Sequence, residues 1–246
     1  MHYDNYLFDL YGTLVDIHTQ EDTLEVWKRL AFFYGYYGAD YTPKELQKSY
    51  EEIVHRTEGI MKGDNHEVFP ELQIEDVFWE LFTLKGAKAD KTLAVHAGQF
   101  FRVLSTDYVK LYDHALELLQ FLKKHGKRVC LLSNAQRIFT EYEMRALGIY
   151  DKFDDVYISS DYHCKKPDIK FYNTLLEELQ LDRSRTIMIG NDKRCDIEGA
   201  RAAGLSTFYI HSNISPEVKD FTSIESTYLL KEMDLCQVQK ILEKTL

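Results

Sequence analysis

Ten residues near the start of the chain join an apolar run to a carboxylate, a glycine and a hydroxyl: Tyr6-Leu7-Phe8-Asp9-Leu10-Tyr11-Gly12-Thr13-Leu14-Val15. The run from Tyr6 to Leu10 is typical of a short strand buried on both faces, as in a parallel sheet. Asp9 then lies at the carboxyl end of this strand, where open α/β sheets bind ligands. A carboxylate here is costly to bury alone, which favours a metal, a cation or a catalytic role. The alternative is an aspartate that only caps the next turn.

Composition and charge limit the classes of function. The chain has 246 residues, of which 45% are hydrophobic and 28% charged, as in an ordinary soluble globular protein. A formal net charge of −10 argues against a nucleic-acid-binding protein, which would present a basic face. There is no basic leader and no apolar run near the roughly 18 residues of a membrane span. The four cysteines lack CxxC spacing, which is typical of reduced thiols in a cytoplasmic protein. Together these observations predict a cytoplasmic protein that binds neither nucleic acid nor membrane.

Two parts of the chain differ in pattern. Between residues 16 and 106, apolar residues recur every three or four positions, which predicts helices near 24–34, 43–54, 74–84 and 91–104. Farther along the chain, short apolar strands alternate with helices, which predicts a parallel sheet covered by helices on both faces. The predicted fold class is therefore α/β, with a helical region inserted after the first strand.

Polar side chains recur where the predicted strands end. They follow the first strand and three later ones: Asp9 and Thr13, Ser133 and Asn134, Lys166, and then Asn191, Asp192 and Asp196. Because the carboxyl ends of parallel strands open on one edge of a sheet, these groups can converge. Together they would supply acids, hydroxyl and amide donors and one cation, which predicts a site at this edge.

These motifs resemble those of the haloacid dehalogenase superfamily, in the subfamily with a helical cap after the first motif. The resemblance covers nearly the whole chain. It implies a Rossmann-like core of residues 1–15 and 107–246 and an all-helical cap of residues 16–106. It also implies a hydrolase that acts on a small anionic substrate.

The resemblance further implies catalytic and binding roles. Asp9 would be the nucleophile that forms a covalent intermediate, and Lys166 would stabilise negative charge. The side chains that hold the transferring group would be Thr13, Ser133 and Asn134.

The resemblance also implies a metal site. In phosphatases of the family, Mg²⁺ is held by carboxylates at the positions of Asp9 and Asp192 and by the main-chain carbonyl at position 11, here Tyr11. Asn191 and Asp196 would support these ligands.

Tyr11 departs from the phosphatase pattern, in which a second aspartate at this position acts as general acid and then general base. A positioned acid typically supplies about 10²–10⁴ in rate. A tyrosine, with an ordinary pKa of about 10, can donate a proton but reclaims one poorly at neutral pH. The run from Asp9 to Thr13 is instead similar to the 2-haloacid dehalogenases, whose halide leaving group needs no acid, and Tyr172 also matches their pattern.

Asp192 instead resembles the phosphatase pattern, because the metal-free dehalogenases carry small uncharged residues at this position. Carboxylates at one sheet edge repel each other unless a cation offsets them, and Lys166 or Mg²⁺ would do so. The sequence therefore favours Mg²⁺-dependent hydrolysis of a small phosphate ester. One alternative is a dehalogenase, in which Arg29 or Arg56 would be the cap arginine that binds halide. The other is a non-catalytic binding or regulatory protein that keeps the fold.

Overall fold

The computed structural model describes residues 2–63 and 69–246. The strands in these residues are β1 (Asn5–Phe8), β2 (Val15–Thr19), β3 (Thr106–Leu111), β4 (Arg128–Ser133), β5 (Asp155–Ile158), β6 (Thr186–Gly190), β7 (Ser206–Ile210) and β8 (Tyr228–Leu230). Six of them form one parallel sheet in the order β5-β4-β1-β6-β7-β8. This confirms the predicted α/β class with a parallel sheet.

Helices cover the sheet and fill the inserted region. Those of the inserted region are α1 (Leu24–Tyr36), α2 (Pro43–Gly63), α3 (Ile74–Leu84) and α4 (Lys91–Ser105). Those around the sheet are α5 (Ala115–Lys124), α6 (Arg137–Ala146), α7 (Ser159–Tyr162), α8 (Ile169–Glu178), α9 (Gly199–Ala202) and α10 (Leu235–Leu242). Within the described residues, no helix has the length and apolar character needed to span a membrane.

The strand β1 lies at the centre of the sheet because its side chains are apolar on both faces. Phe8 packs in a buried cluster with Leu119 of α5 and Ile189 of β6. Leu7 points to the other face, in a second buried cluster that includes Phe171 of α8. Burial of apolar area on both faces is the main stabilising contribution to such a layered fold. Asp9 is thereby fixed at the centre of the sheet edge.

The inserted region has an aromatic core of its own. Trp27, Tyr34, Phe78 and Phe82 are buried in one cluster formed by α1 to α4. The four predicted helices are present, and α3 has the predicted bounds. α2 extends well past its predicted end near residue 54. That this region acts as a separate cap domain stays a prediction.

Two features of the fold were not predicted. β2 and β3 form an antiparallel pair at the two crossings between sheet and insertion, with Val15 opposite Leu111. Their partners lie about ninety residues apart in sequence, so no local pattern indicates the pairing. The second feature is a π-helical turn at Lys193–Glu198, which follows β6 and leads directly into α9.

Candidate active site

Strand ends bring the predicted polar residues to one edge of the sheet. Asp9 follows β1, Ser133 ends β4 and Asn191 follows β6, and these three strands are neighbours. There they enclose a cavity of about 210 Å³ together with the loops after α7 and β7. Its described lining residues are Asp9, Tyr11, Ser133, Asn134, Lys166, Asn191, Asp192, Cys195, Asp196, Ile214 and Pro216. This cavity is the candidate active site.

The Asp9 carboxylate is held by donors from three segments. Its Oδ1 accepts a hydrogen bond from Lys166 Nζ at 2.8 Å and another from Ser133 Oγ at 3.1 Å. Its Oδ2 accepts a longer bond from Thr13 Oγ1 at 3.4 Å. The Asp9 N–H donates to the Ile189 carbonyl, which continues the pairing of β1 with β6. The carboxylate is therefore oriented by the sheet itself and is only 7% exposed.

Lys166 bridges two carboxylates inside the protein. Its ammonium donates to Asp9 Oδ1 at 2.8 Å and to Asp196 Oδ1 at 2.7 Å, and its side chain is 1% exposed. Burial alone would lower the pKa of Lys166, but Asp196 and Asp9 outweigh this effect and the pKa is raised. The side chain thus stays cationic at neutral pH, which suits a group that stabilises negative charge.

Asp196 supports this arrangement from behind. Its Oδ2 accepts a hydrogen bond from the Asp192 N–H at 2.9 Å. Burial raises the pKa of Asp196, while Lys166 opposes that shift. A Cβ at Gly190 would lie 2.3 Å from the Asp196 carboxyl group, so the chain needs glycine at the end of β6 for the carboxylate to fit.

Close backbone approach at the first motif depends on Gly12. Its φ is +86°, and a Cβ there would lie 2.2 Å from Asn191 Nδ2. Both the left-handed backbone and the missing side chain therefore require glycine. The Asn191 amide in turn donates to Ser212 and Ser215 hydroxyls, while its oxygen lies 3.4 Å from Thr13 Oγ1.

Asn134 contacts the Lys166 backbone instead of Asp9. Its Nδ2 donates to the Lys166 carbonyl at 2.9 Å, and its Oδ1 accepts from the Lys166 N–H at 2.8 Å. These paired bonds join the loop after β4 to the loop after α7. The position of Lys166 therefore depends on Asn134, although Asn134 also lines the cavity.

The Tyr11 hydroxyl is bound outside the Asp9 cluster. It donates to Glu143 Oε2 at 2.5 Å and also lies 3.2 Å from Thr140 Oγ1, both on α6. Arg102 of α4 donates to both Glu143 oxygens, at 2.7 Å and 3.2 Å, and its guanidinium lies 5.7 Å from the Tyr11 ring centroid. Burial, followed by the nearby Glu143 charge, raises the pKa of Tyr11. The hydroxyl is therefore neutral and engaged.

Three lining residues retain oxygen atoms that could bind a cation. Asp192 Oδ1 accepts from the N–H groups of Arg194 and Cys195, both at 2.8 Å, while its second oxygen accepts no hydrogen bond from the described residues. The Tyr11 carbonyl likewise accepts none within the part of the chain that is described. With Asp9 they form a set of hard oxygen donors, which fits Mg²⁺.

The carboxylates by themselves do not make a metal cage. Over residues 2–63 and 69–246, no three or more His, Cys, Asp and Glu side chains gather as a metal-binding group. A cation between Asp9 and Asp192 would therefore need a main-chain oxygen, water or substrate to complete its shell. That arrangement is usual for Mg²⁺, which keeps several waters.

Some predicted residues lie elsewhere. Arg29 pairs with Glu25 on the exposed surface of α1, and Arg56 pairs with Glu80, so neither belongs to the cavity lining that is described. The buried Tyr172 donates its hydroxyl to the Cys195 carbonyl at 2.5 Å.

Sequence reasoning also missed lining residues. Ile214 and Pro216 come from the loop after β7, and Cys195 comes from the π-helical turn. Arg102 and Glu143, which bind Tyr11, were missed as well. The sole sequence signal for this pair was an arginine and a glutamate on two amphipathic helices, which is common on solvated surfaces.

Comparison with known proteins assigns the family. A model of the haloacid dehalogenase-like hydrolases matches residues 3–204. The chain belongs to this family and is a hydrolase. This confirms the resemblance seen in the four motifs.

Individual relatives include phosphatases. A glyceraldehyde 3-phosphate phosphatase of Methanothermobacter thermautotrophicus is 25% identical over 206 residues, which cover 83% of this chain and 85% of the relative. A pyrimidine 5'-nucleotidase of Streptococcus pneumoniae is 23% identical over 249 residues, which cover 99% of each chain. The solved structure of the hydrolase YfnB of Bacillus subtilis, bound to magnesium, has a TM-score of 0.57 and 21% identity, covering 98% of this chain and 99% of that one.

Proposed function

We propose that this hydrolase cleaves a small phosphate monoester, with Asp9 as the nucleophile and Mg²⁺ as cofactor. The observation that carries the proposal is the charge of the cavity. Its described lining holds three carboxylates, Asp9, Asp192 and Asp196, against one ammonium, that of Lys166. A phosphate dianion would be repelled from such a cavity unless a divalent cation offset the charge.

The protein groups fit a two-step transfer. The Asp9 carboxylate would attack phosphorus, form an aspartyl phosphate and release the alkoxide of the substrate. Water would then attack the phosphorus of this intermediate, release phosphate and regenerate the carboxylate. Lys166 would stabilise charge on the transferring group, while Ser133 and Thr13 orient Asp9. Mg²⁺, held by Asp9, Asp192 and the Tyr11 carbonyl, would supply positive charge against the phosphoryl oxygens.

In the proposed reaction, proton transfer to the leaving group would be inefficient. The Tyr11 hydroxyl donates to Glu143, and its raised pKa makes it a poor proton donor and a poor base at neutral pH. The departing alkoxide would then take its proton from water. Esters with stable leaving groups should therefore react faster than alkyl phosphates.

The size of the cavity limits the substrate. A volume of about 210 Å³ is below the roughly 300–1,000 Å³ of pockets that enclose drug-sized ligands. It accommodates a phosphate with a few carbon atoms better than a whole nucleotide. Of the two activities named among the relatives, the triose phosphate therefore fits better than the pyrimidine nucleotide.

A 2-haloacid dehalogenase is the second candidate. It is favoured by Tyr11, which leaves no carboxylate at the position of the phosphatase acid, and halide departs without a proton. The negative cavity argues against it, because a haloacid is itself an anion and this chemistry uses no metal.

A substrate panel with an inactive variant tests the proposal. Phosphate release would be measured with Mg²⁺ from p-nitrophenyl phosphate, glyceraldehyde 3-phosphate and pyrimidine nucleoside 5'-monophosphates. Asp9→Asn keeps the shape of the side chain but removes its charge, so turnover should fall below detection while the fold persists. Asp151→Asn, at an exposed aspartate, is the matched control and should keep full activity. Substantial activity in Asp9→Asn would rule out the nucleophile assignment.

A further inference from the structure

A short segment of the insertion contacts the loops that carry the active-site residues. This α2–α3 segment, Phe69–Ile74, precedes α3 and ends at its first residue. It packs against the loop that follows α7, residues 163–168, and the loop between β4 and α6, residues 134–136. The first of these loops carries Lys166, and the second begins with Asn134.

Main-chain hydrogen bonds join the α2–α3 segment to the Lys166 loop. The Lys165 N–H donates to the Phe69 carbonyl at 2.9 Å, and the Glu71 N–H donates to the His163 carbonyl at 3.1 Å. These bonds form a strand-like antiparallel bridge between Pro70 and Cys164. Lys166 therefore directly follows Lys165, whose backbone N–H is hydrogen-bonded to the insertion.

The side chain of Gln136 joins the same segment to the Asn134 loop. Its Oε1 accepts from the Ile74 N–H at 3.0 Å, and its Nε2 donates to the Leu72 carbonyl at 3.0 Å. The same nitrogen lies 3.3 Å from Glu71 Oε1. Gln136 is the residue just before α6, so it is fixed by its own helix on one side and by the insertion on the other.

Glu71 is a buried carboxylate at the centre of these contacts. It is 8% exposed, and its Oε2 accepts from Ser159 Oγ at 2.9 Å. The Ser159 hydroxyl also accepts from the Ala135 N–H at 2.9 Å, next to Asn134. Lys165 lies 3.8 Å from Glu71 and 3.8 Å from Glu58, and it is the described cation nearest to this carboxylate. A buried carboxylate with such partners orders several segments at once.

The two loops are themselves joined at the active site. Asn134 exchanges two hydrogen bonds with the Lys166 backbone, and the Lys166 ammonium contacts Asp9. A displacement of either loop would therefore move the ammonium relative to the carboxylate. Charge stabilisation depends steeply on such distances, and a misplacement of about 1 Å can lower a rate about 10²-fold.

We propose that Glu71 is a positioning residue: by binding Ser159 and Gln136 it orders the loops that hold Asn134 and Lys166, and so sets the Lys166 ammonium beside Asp9. The catalytic part of this inference rests on the proposed phosphatase function. The ordering part does not, because it concerns the two loops alone. Glu71 itself acts only through Lys166 and is not a catalytic residue.

Two measurements on Glu71 variants test the proposal. The first is kcat and KM for p-nitrophenyl phosphate with Mg²⁺, and the second is amide hydrogen exchange at residues 133–137 and 163–168. Glu71→Ala should lower kcat about 10-fold or more and change KM little, because Lys166 acts on the transferring group. It should also speed exchange in both loops. Asp76→Asn, at an exposed aspartate of α3 that pairs with Lys91, is the control and should change neither.

Conservative replacement separates positioning from a merely structural role. Glu71→Gln keeps an oxygen acceptor for Ser159, so kcat should stay within about threefold of the native value. Gln136→Ala cuts the contacts to Leu72 and Ile74 from the opposite side and should repeat the Glu71→Ala pattern. This variant also keeps the test valid if Glu71→Ala does not fold.

The outcomes separate this inference from the proposed function. Unchanged exchange in folded Glu71→Ala and Gln136→Ala would overturn it, as would faster exchange with an unchanged kcat. Equal loss of kcat in Glu71→Gln and Glu71→Ala would also overturn it, since the hydrogen-bond acceptor would then be irrelevant. If the native protein released no phosphate from any ester, the proposed function would fail, while the exchange data would still decide whether Glu71 orders the loops.

Discussion

Two ion clusters, one buried and one partly buried, lie beside the same cavity, and they differ in what their polar atoms contact. The Lys166 cluster consists of Asp9, Lys166 and Asp196, with ammonium-to-carboxylate distances of 2.8 Å and 2.7 Å. The Arg102 cluster consists of Tyr11, Arg102 and Glu143, with comparably short contacts of 2.5 Å and 2.7 Å. By contact distance alone the two clusters would be hard to tell apart.

Their positions relative to the cavity separate them. All three members of the Lys166 cluster line it, whereas in the Arg102 cluster the described lining includes Tyr11 alone. The Arg102 cluster joins α4 of the insertion to α6 beside the sheet, and it binds the Tyr11 hydroxyl away from Asp9. A buried ion pair is thus weak evidence for chemistry unless its charged atoms border the space where substrate binds.

Among the variants that distinguish the two clusters, Lys166→Ala has the largest expected effect. The substitution leaves Asp9 and Asp196 buried without their cation and removes a group that stabilises negative charge. Turnover of p-nitrophenyl phosphate with Mg²⁺ should fall about 10²-fold or more, as for other removed charge-stabilising groups. Lys48→Ala, at an exposed lysine of α2, is the control. If Lys166→Ala kept the native rate, the assignment of the chemistry to the Lys166 cluster would be contradicted.

A smaller effect is expected from Tyr11→Asp, which converts the one cavity residue of the Arg102 cluster into a carboxylate. A positioned carboxylate can both give and take a proton, so alkyl phosphate turnover should rise by about 10-fold, a modest part of the usual acid–base contribution. Aryl phosphates, whose leaving groups depart unprotonated, should gain less. The measurement is the ratio of alkyl phosphate to aryl phosphate turnover in the native protein and in Tyr11→Asp. An unchanged ratio would contradict the proposal that Tyr11 makes proton transfer to the leaving group inefficient.

The smallest effect concerns stability at high pH. Burial and Glu143 raise the pKa of Tyr11 in the folded protein above the value of about 10 in the unfolded chain. Above about pH 10, the folded state therefore keeps a proton that the unfolded state loses. The contribution of Tyr11 to the free energy of unfolding is fully present below about pH 10 and falls as the pH rises further.

Tyr11→Phe should remove that contribution. The slope of unfolding free energy against pH above about 10 should become shallower by up to about 1.4 kcal/mol per pH unit. Urea denaturation at several pH values measures this slope. Tyr142→Phe, at an exposed tyrosine of α6, should leave it as in the native protein. Equal slopes in the native protein and Tyr11→Phe would show that the Arg102 cluster does not hold the tyrosine protonated.

Residues that follow strands were predictable, because the apolar run of a strand and the point where it ends can be recognised in the local sequence. The apolar run before Asp9 corresponds to the central strand β1, and Ser133 and Asn191 lie at the carboxyl ends of β4 and β6, as expected. Parallel pairing then brings their ends together, which is why Asp9, Ser133 and Lys166 meet. Their catalytic roles stay predictions.

Contacts made by helices and long loops were not predictable in the same way. Tyr11 and Glu143 are 132 positions apart, and Arg102 and Glu143 are 41 apart, so their meeting depends on how the insertion packs on the sheet. Ile214 enters the cavity from a loop with no apolar period. Side-chain contacts were not predictable either: Asn134 exchanges two hydrogen bonds with the Lys166 backbone, a contact that no local pattern indicates. Its role in holding the transferring group stays a prediction.

The most direct test of the account compares two substrates in one preparation, with Mg²⁺ and with EDTA. Phosphate release from p-nitrophenyl phosphate and chloride release from 2-chloropropionate would be measured side by side. The three carboxylates of the cavity lining, Asp9, Asp192 and Asp196, predict phosphate release that requires Mg²⁺, with no chloride release in either condition. Chloride release in EDTA without phosphate release in Mg²⁺ would contradict the account and assign the dehalogenase reaction to this cavity.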